Sequence, residues 1–144
     1  MRKGIVLLLM LNLIFACSIA PSKIEYGKDA CSFCKMNIVE KAHAAQIVTK
    51  KGKPYKYDAI ECMLNDLDDR KIDKIALFLV TDYLKPTLLV DAKTATYLIS
   101  PSIKSPMGAN LSAFSSKEEA KKFTKVDADK IFNWQEIKTS WFSK

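Results

Sequence analysis

Apolar residues are distributed along this 144-residue chain in one long run followed by many short ones. Residues 4–16 are apolar apart from Asn12, and Arg2 and Lys3 precede them. The run is shorter than the roughly 20 residues that a bilayer-spanning helix needs, and it reads as a secretory signal peptide. Beyond it, residues 44–49, around Ile47-Val48, predict a strand. Lys51-Gly52-Lys53-Pro54 marks a turn, and Tyr55-Lys56-Tyr57 alternates aromatic and charged side chains as a half-buried strand does. Asp58-Ala59-Ile60-Glu61 fits a capping box with Asp58 as N-cap. Ile60, Met63, Leu64 and Leu67 follow at i, i+3, i+4 and i+7, the stripe of an amphipathic helix ending near Asp69. Residues 75–81 are a continuous apolar run with the length of a buried strand.

The second half repeats this rhythm. Residues 88–91 and 94–99 predict strands, and residues 102–110 are irregular around Pro106 and Gly108. Ser115-Ser116-Lys117-Glu118-Glu119 holds two overlapping capping boxes, and Ala120 and Phe123 continue a short helix. Residues 130–137 predict a strand or short helix. Strand–strand–helix–strand thus occurs twice, joined by turns of hairpin length. This predicts an α+β body with small mixed or antiparallel sheets.

The end of the signal stretch adds an anchor. Leu13-Ile14-Phe15-Ala16-Cys17 resembles a bacterial lipobox, in which cleavage leaves a lipidated Cys17 as the first residue. The expected organisation is a signal peptide over residues 1–16, a lipidated tether over 17–28 and one folded domain over 29–140, with halves at about 29–83 and 84–140. Loss of Arg2 and Lys3 takes the net charge from +7 to +5. The lysines are scattered among acids such as Asp68-Asp69 and Glu118-Glu119, which describes a solvated surface and no nucleic-acid patch.

Four cysteines would allow two disulfides, but lipidation of Cys17 leaves three, Cys31, Cys34 and Cys62. An odd set cannot pair fully within the chain, so one thiol stays free or a metal holds the set. Cys31-Ser32-Phe33-Cys34-Lys35-Met36 concentrates thiols and a thioether, the soft donors that favour Cu(I). Three other readings remain open: a thiol–disulfide redox motif, a zinc site completed by Cys62 or His43, and a structural disulfide or buried thiols. Cys62 sits at the edge of the apolar stripe of the first helix, while Met63 lies on that stripe as core. Met107 is in a predicted loop, and His43 is the single histidine. Both are further candidate ligands. No nucleophile–histidine triad, phosphate loop or nucleotide fingerprint is present, so the chain reads as a carrier and not as an enzyme.

Five segments in order resemble the NosL family of copper-binding lipoproteins: residues 31–36 followed by Ala45-Gln46-Ile47, Lys56-Tyr57-Asp58-Ala59-Ile60-Glu61-Cys62-Met63-Leu64, Val80-Thr81-Asp82-Tyr83, Val90-Asp91-Ala92, and Ser105-Pro106-Met107-Gly108 with Ala113-Phe114 after it. The resemblance spans about residues 29–137. It implies two tandem ββαβ-like units, akin to the core of organomercurial lyase. It also implies a periplasm-facing, membrane-anchored lipoprotein that binds Cu(I) and acts as a metallochaperone for nitrous oxide reductase, a multicopper enzyme of denitrification, or for its assembly machinery. The soft-ligand motif then falls on Cys31, Cys34 and Met36, with Cys62 and Met107 at other motif positions. Lys35 departs from the family pattern, which has glycine before the motif methionine. Glycine adopts positive φ without steric cost, so Lys35 predicts either a strained turn or a different one.

Overall fold

Short apolar runs separated by tight turns fold here into two antiparallel sheets, each carrying one crossover helix. The computed structural model describes residues 19–143; the signal stretch and Cys17 lie outside the described residues. The order is β1 (Ala45–Thr49), β2 (Pro54–Tyr57), α1 (Ile60–Asp69), β3 (Ile75–Thr81), β4 (Leu89–Asp91), β5 (Thr96–Ile99), β6 (Leu111–Phe114), α2 (Lys117–Lys121), β7 (Lys130–Phe132) and α3 (Trp134–Phe142). The sheets run β2-β1-β3-β4 and β6-β5-β7, with every ladder antiparallel. A parallel bridge between Asp82 and Ala113 links the two units.

The duplicated rhythm becomes a duplicated topology. In each unit the first strand is central. Its hairpin partner pairs on one side of it, and the strand after the helix pairs on the other. The α+β expectation with two ββαβ units therefore holds, and the sheets are antiparallel and not mixed. β4, expected as the first strand of the second unit, instead pairs with β3 and extends the first sheet, and β6, a strand that the pattern does not predict, takes its place as the hairpin partner of β5.

The predicted stripe of α1 is fully buried: Ile60, Met63 and Leu64 are 0% exposed and Leu67 is 1%. These side chains join Ile47, Tyr57, Val80, Tyr97, Leu111 and Ile137 in one core shared by both units. Each such apolar side chain contributes about 1.5–3 kcal/mol by leaving water. A smaller cluster of Leu98, Ile103, Phe114 and Ala120 closes the far side of the second sheet.

Three expectations change. Residues 22–28 are not a free tether. Ile24 is buried, Gln46 exchanges hydrogen bonds with the backbone of Ser22 (2.8 and 2.7 Å), and Gly27 N–H donates to Ile38 O. The buried glutamine on β1 needs those backbone partners. Residues 130–137 divide into β7 and α3, because Asn133 and Glu136 form a capping box that starts a helix. That helix places Ile137 in the core and Trp134 against Phe78 and Tyr97. Asp58 is not the N-cap of α1. Ala59 takes that place without a side-chain cap, and the Asp58 carboxylate turns elsewhere. At α2, Ser116 is the serine that caps, accepting from Glu119 N–H, while Ser115 donates to Asp82.

Candidate metal centre

Residues 31–36 form a tight loop pinned to the outer edge of β2. An antiparallel bridge between Ala30 and Asn37 closes its neck, and Cys31 N–H donates to Met36 O at 2.8 Å. Ser32 N–H donates to Lys56 O at 2.7 Å, and Ser32 Oγ accepts from Lys56 N–H. The turn closes through Lys35 N–H to Cys31 O, with Lys35 at φ 68°. The lysine thus adopts the left-handed conformation that glycine would take, and its Nζ ties back to Ser32 O at 2.6 Å. The departure from the family pattern leaves the turn in place and loads it with strain.

This loop sits over the start of α1. Sγ of Cys31, Cys34 and Cys62 and a carboxylate oxygen of Asp58 all lie within 4.8 Å of one another. Cys31 and Cys34 come from the loop, Asp58 from the end of β2 and Cys62 from the first turn of α1. The three thiols are free. Cys62, expected at the edge of the helix stripe, is 0% exposed because the loop covers it. Cys31 is also buried, and Cys34 is partly open to solvent.

The protons are distributed unevenly. The Cys62 thiol donates to Cys31, and backbone N–H groups of Asp58, Cys34 and Phe33 also point at that sulfur. Together they lower the Cys31 thiol to about 6, against the cost of burial. Cys62 is pushed far up, because its thiol proton is held in the hydrogen bond to Cys31 and burial disfavours its thiolate. Burial also raises Cys34, whose thiol donates to Asp58 Oδ1 at 3.5 Å. Cys31 is thus the thiol that loses its proton most readily, while Cys34 and Cys62 hold theirs.

The other sequence candidates lie around or away from this point. Met36 is 54% exposed at the end of the loop, and Met107 is 39% exposed. The segment carrying Met107 is held to α1 by Ser105, whose hydroxyl donates to Glu61, the residue before Cys62. His43 is occupied elsewhere: Nδ1 meets Glu40 Oε2 at 2.7 Å and Nε2 meets Ser112 Oγ at 2.9 Å. Ser112 is fully buried on β6, so this row ties the second sheet to the segment before β1 and offers no substrate a path. Sequence reasoning missed two groups. Asp58 looked like a helix cap, and Glu61 looked like part of a capping box. Glu61 is in fact 1% exposed, with Oε2 buried and unpartnered, and burial raises its carboxyl.

Three thiolates can hold a soft monovalent ion in trigonal geometry, and the carboxylate adds a hard fourth donor. The same four groups could complete a tetrahedral zinc site.

No curated protein matches the chain. Among solved structures it is similar to the copper chaperone NosL from Shewanella denitrificans, at 21% identity and a TM-score of 0.72, over 83% of this chain and 96% of that one. The family model NosL matches residues 22–142, which begins at the docked Ser22 and ends within α3. The chain belongs to the NosL family.

Proposed function

We propose that this protein is a Cu(I)-binding metallochaperone, not an enzyme, anchored to the bacterial cell envelope through an acylated Cys17 and facing the periplasm. Its client is an extracytoplasmic cuproenzyme, nitrous oxide reductase or the machinery that assembles it. The observation that carries this reading is the convergence of three thiol sulfurs and Asp58 within 4.8 Å beneath one loop. Membership of the NosL family and likeness to a copper chaperone support copper as the cargo.

Release follows from graded access. Cys31 and Cys62 hold the ion from below, and Cys34 is the most open thiol. Met36 at the end of the loop and Met107 are exposed thioethers that offer further weak, soft donors. A client's ligands would replace Cys34 first and the buried thiols last, so the ion always keeps a partner.

The redox alternative through Cys31 and Cys34 needs an acidified thiol that a partner can reach. Here the acidified thiol is the buried one, and the open thiol is raised. A disulfide between Cys34 and either buried cysteine would leave the other buried thiol without its cysteine partner.

The test is a Cu(I) titration of the chain after Cys17, under reducing conditions, against a chromophoric Cu(I) chelator. About one equivalent should bind tightly. Cys31→Ser with Cys34→Ser should abolish that binding while the fold survives; retained binding would sink the assignment. Asp58→Asn separates copper from zinc. It should leave Cu(I) affinity within about threefold and weaken Zn(II) by tenfold or more, since only the harder ion uses the oxygen.

A further inference from the structure

The place where the chain leaves the folded body carries a second message. Ser22 is fixed to β1 by its two hydrogen bonds with Gln46, and Ile24 behind it is buried. Ser22 is therefore part of the body and not of a tether. Only five residue steps separate it from Cys17, a reach of at most roughly 17 Å when fully extended. An acyl chain on Cys17 would hold the body against the bilayer, with no room to stand off or turn over.

The surface at that exit is suited to contact. Pro21, Ser22, Lys23, Ile24 and Tyr26 share a cleft with Thr87 and Leu89, so the segment between β3 and β4 lies beside the outgoing chain. That segment is a tight turn. Lys85 N–H bonds Asp82 O, Leu88 N–H bonds Lys85 O, and Thr87 N–H bonds Lys41 O. Thr87 is held at φ 77°, a conformation that a β-branched residue adopts only under constraint. The constrained turn displays Leu84 at 41% and Leu88 at 46% exposure, and Ile19 on the outgoing chain is 45% exposed. Lys23, Lys41 and Lys85 are exposed around them. Glu25 pairs with Lys23, and Glu40 is engaged by His43. Lys23 is offset by Glu25 and Glu40 offsets one of the other two lysines, so the patch combines apolar anchors with a basic surplus of one, the combination that favours an anionic lipid surface.

We infer that the turn of residues 84–88, with the exposed side chains of the outgoing chain, is a membrane-contact face that seats the body on anionic lipid. This rests on the acylation of Cys17. The face fixes the orientation of the molecule, so that a client meets the metal loop from a defined side.

The experiment uses the full chain, acylated in a bacterial host and reconstituted in phosphatidylethanolamine–phosphatidylglycerol vesicles doped with nitroxide-labelled lipid. Tryptophan is introduced singly as Leu84→Trp, Leu88→Trp and, as reference, Ile72→Trp. Ile72 is similarly exposed, at 45%, but precedes the opposite end of β3. After subtraction of the native Trp134 and Trp141 emission, positions 84 and 88 should be quenched at least twofold more than position 72. Lys41→Glu with Lys85→Glu should reduce that excess, and circular dichroism checks that each variant folds. Equal quenching at all three positions on an acylated chain overturns the contact face alone. Mass spectrometry that finds no acyl group on Cys17 overturns the anchor, and with it this inference.

Discussion

At the scale of single residues, Lys35 takes the strained turn that the motif leads one to expect, and Cys31 carries a proton affinity that the motif alone does not set. Lys35 takes positive φ, which costs a side-chain-bearing residue about 1–2 kcal/mol. Lys35→Gly relieves this but gives the unfolded chain more freedom, so its net effect should lie between neutral and about 1 kcal/mol of stabilisation. Lys35→Val, branched at Cβ, should instead destabilise by about 1–2 kcal/mol. Urea denaturation of the metal-free protein measures both. Cys31 makes a pH prediction. Its thiol falls from the usual 9.0 to about 6, so between those values the unfolded chain holds a proton that the folded chain has released. Stability therefore rises with pH across that window, and the contribution is lost as pH falls through 6. Cys34 and Cys62 are shifted the other way, so above 9 the folded chain keeps protons that the unfolded chain gives up, and stability declines. Urea midpoints against pH should peak near 9 as far as the thiols decide, and Cys31→Ser should flatten the rising limb.

At the scale of elements, α1 joins the core to the site. Its apolar stripe anchors both units, and its first turn carries Cys62. Leu64→Ala should cost about 2–5 kcal/mol, because the rigid surroundings cannot close over the space, and a thermal melt of the metal-free protein would register it. Elements were the most legible level in the sequence. The stripe of α1, the continuous run of β3 and the hairpin of β1 and β2 follow from period and turn chemistry alone. What escaped were choices that depend on neighbours. Asp58 satisfies the local rule for a helix cap, but the thiol of Cys34 brings it a better-placed donor from a loop 24 residues earlier. Glu61 satisfies the same box and is instead buried against Ser105.

At the scale of the whole molecule, metal binding should couple to protons and to stability. With one thiolate formed in advance, capture of Cu(I) by three sulfurs should release about two protons at neutral pH. Calorimetry in buffers of different ionisation enthalpy counts them, and release of none would exclude three-thiolate ligation. An ion that binds only the folded state adds about 2.7 kcal/mol at a free concentration a hundredfold above its dissociation constant. The melting temperature should rise with Cu(I) and stay unchanged in the Cys31→Ser, Cys34→Ser protein.

The sequence by itself determined the α+β class, the repeated strand–helix–strand rhythm, the core positions of α1 and the concentration of soft donors in residues 31–36. These follow from local patterns, since period, turn chemistry and residue type are written in neighbouring positions. Only the tertiary structure decided that Cys62 is buried beneath the loop and not at a helix edge, that Asp58 joins the thiols, that His43 is occupied by Glu40 and Ser112, and that residues 22–28 belong to the body. Each of these turns on contacts between segments far apart in the chain. Where several partners satisfy the same donor or acceptor, burial and geometry select among them, and no local pattern carries that information.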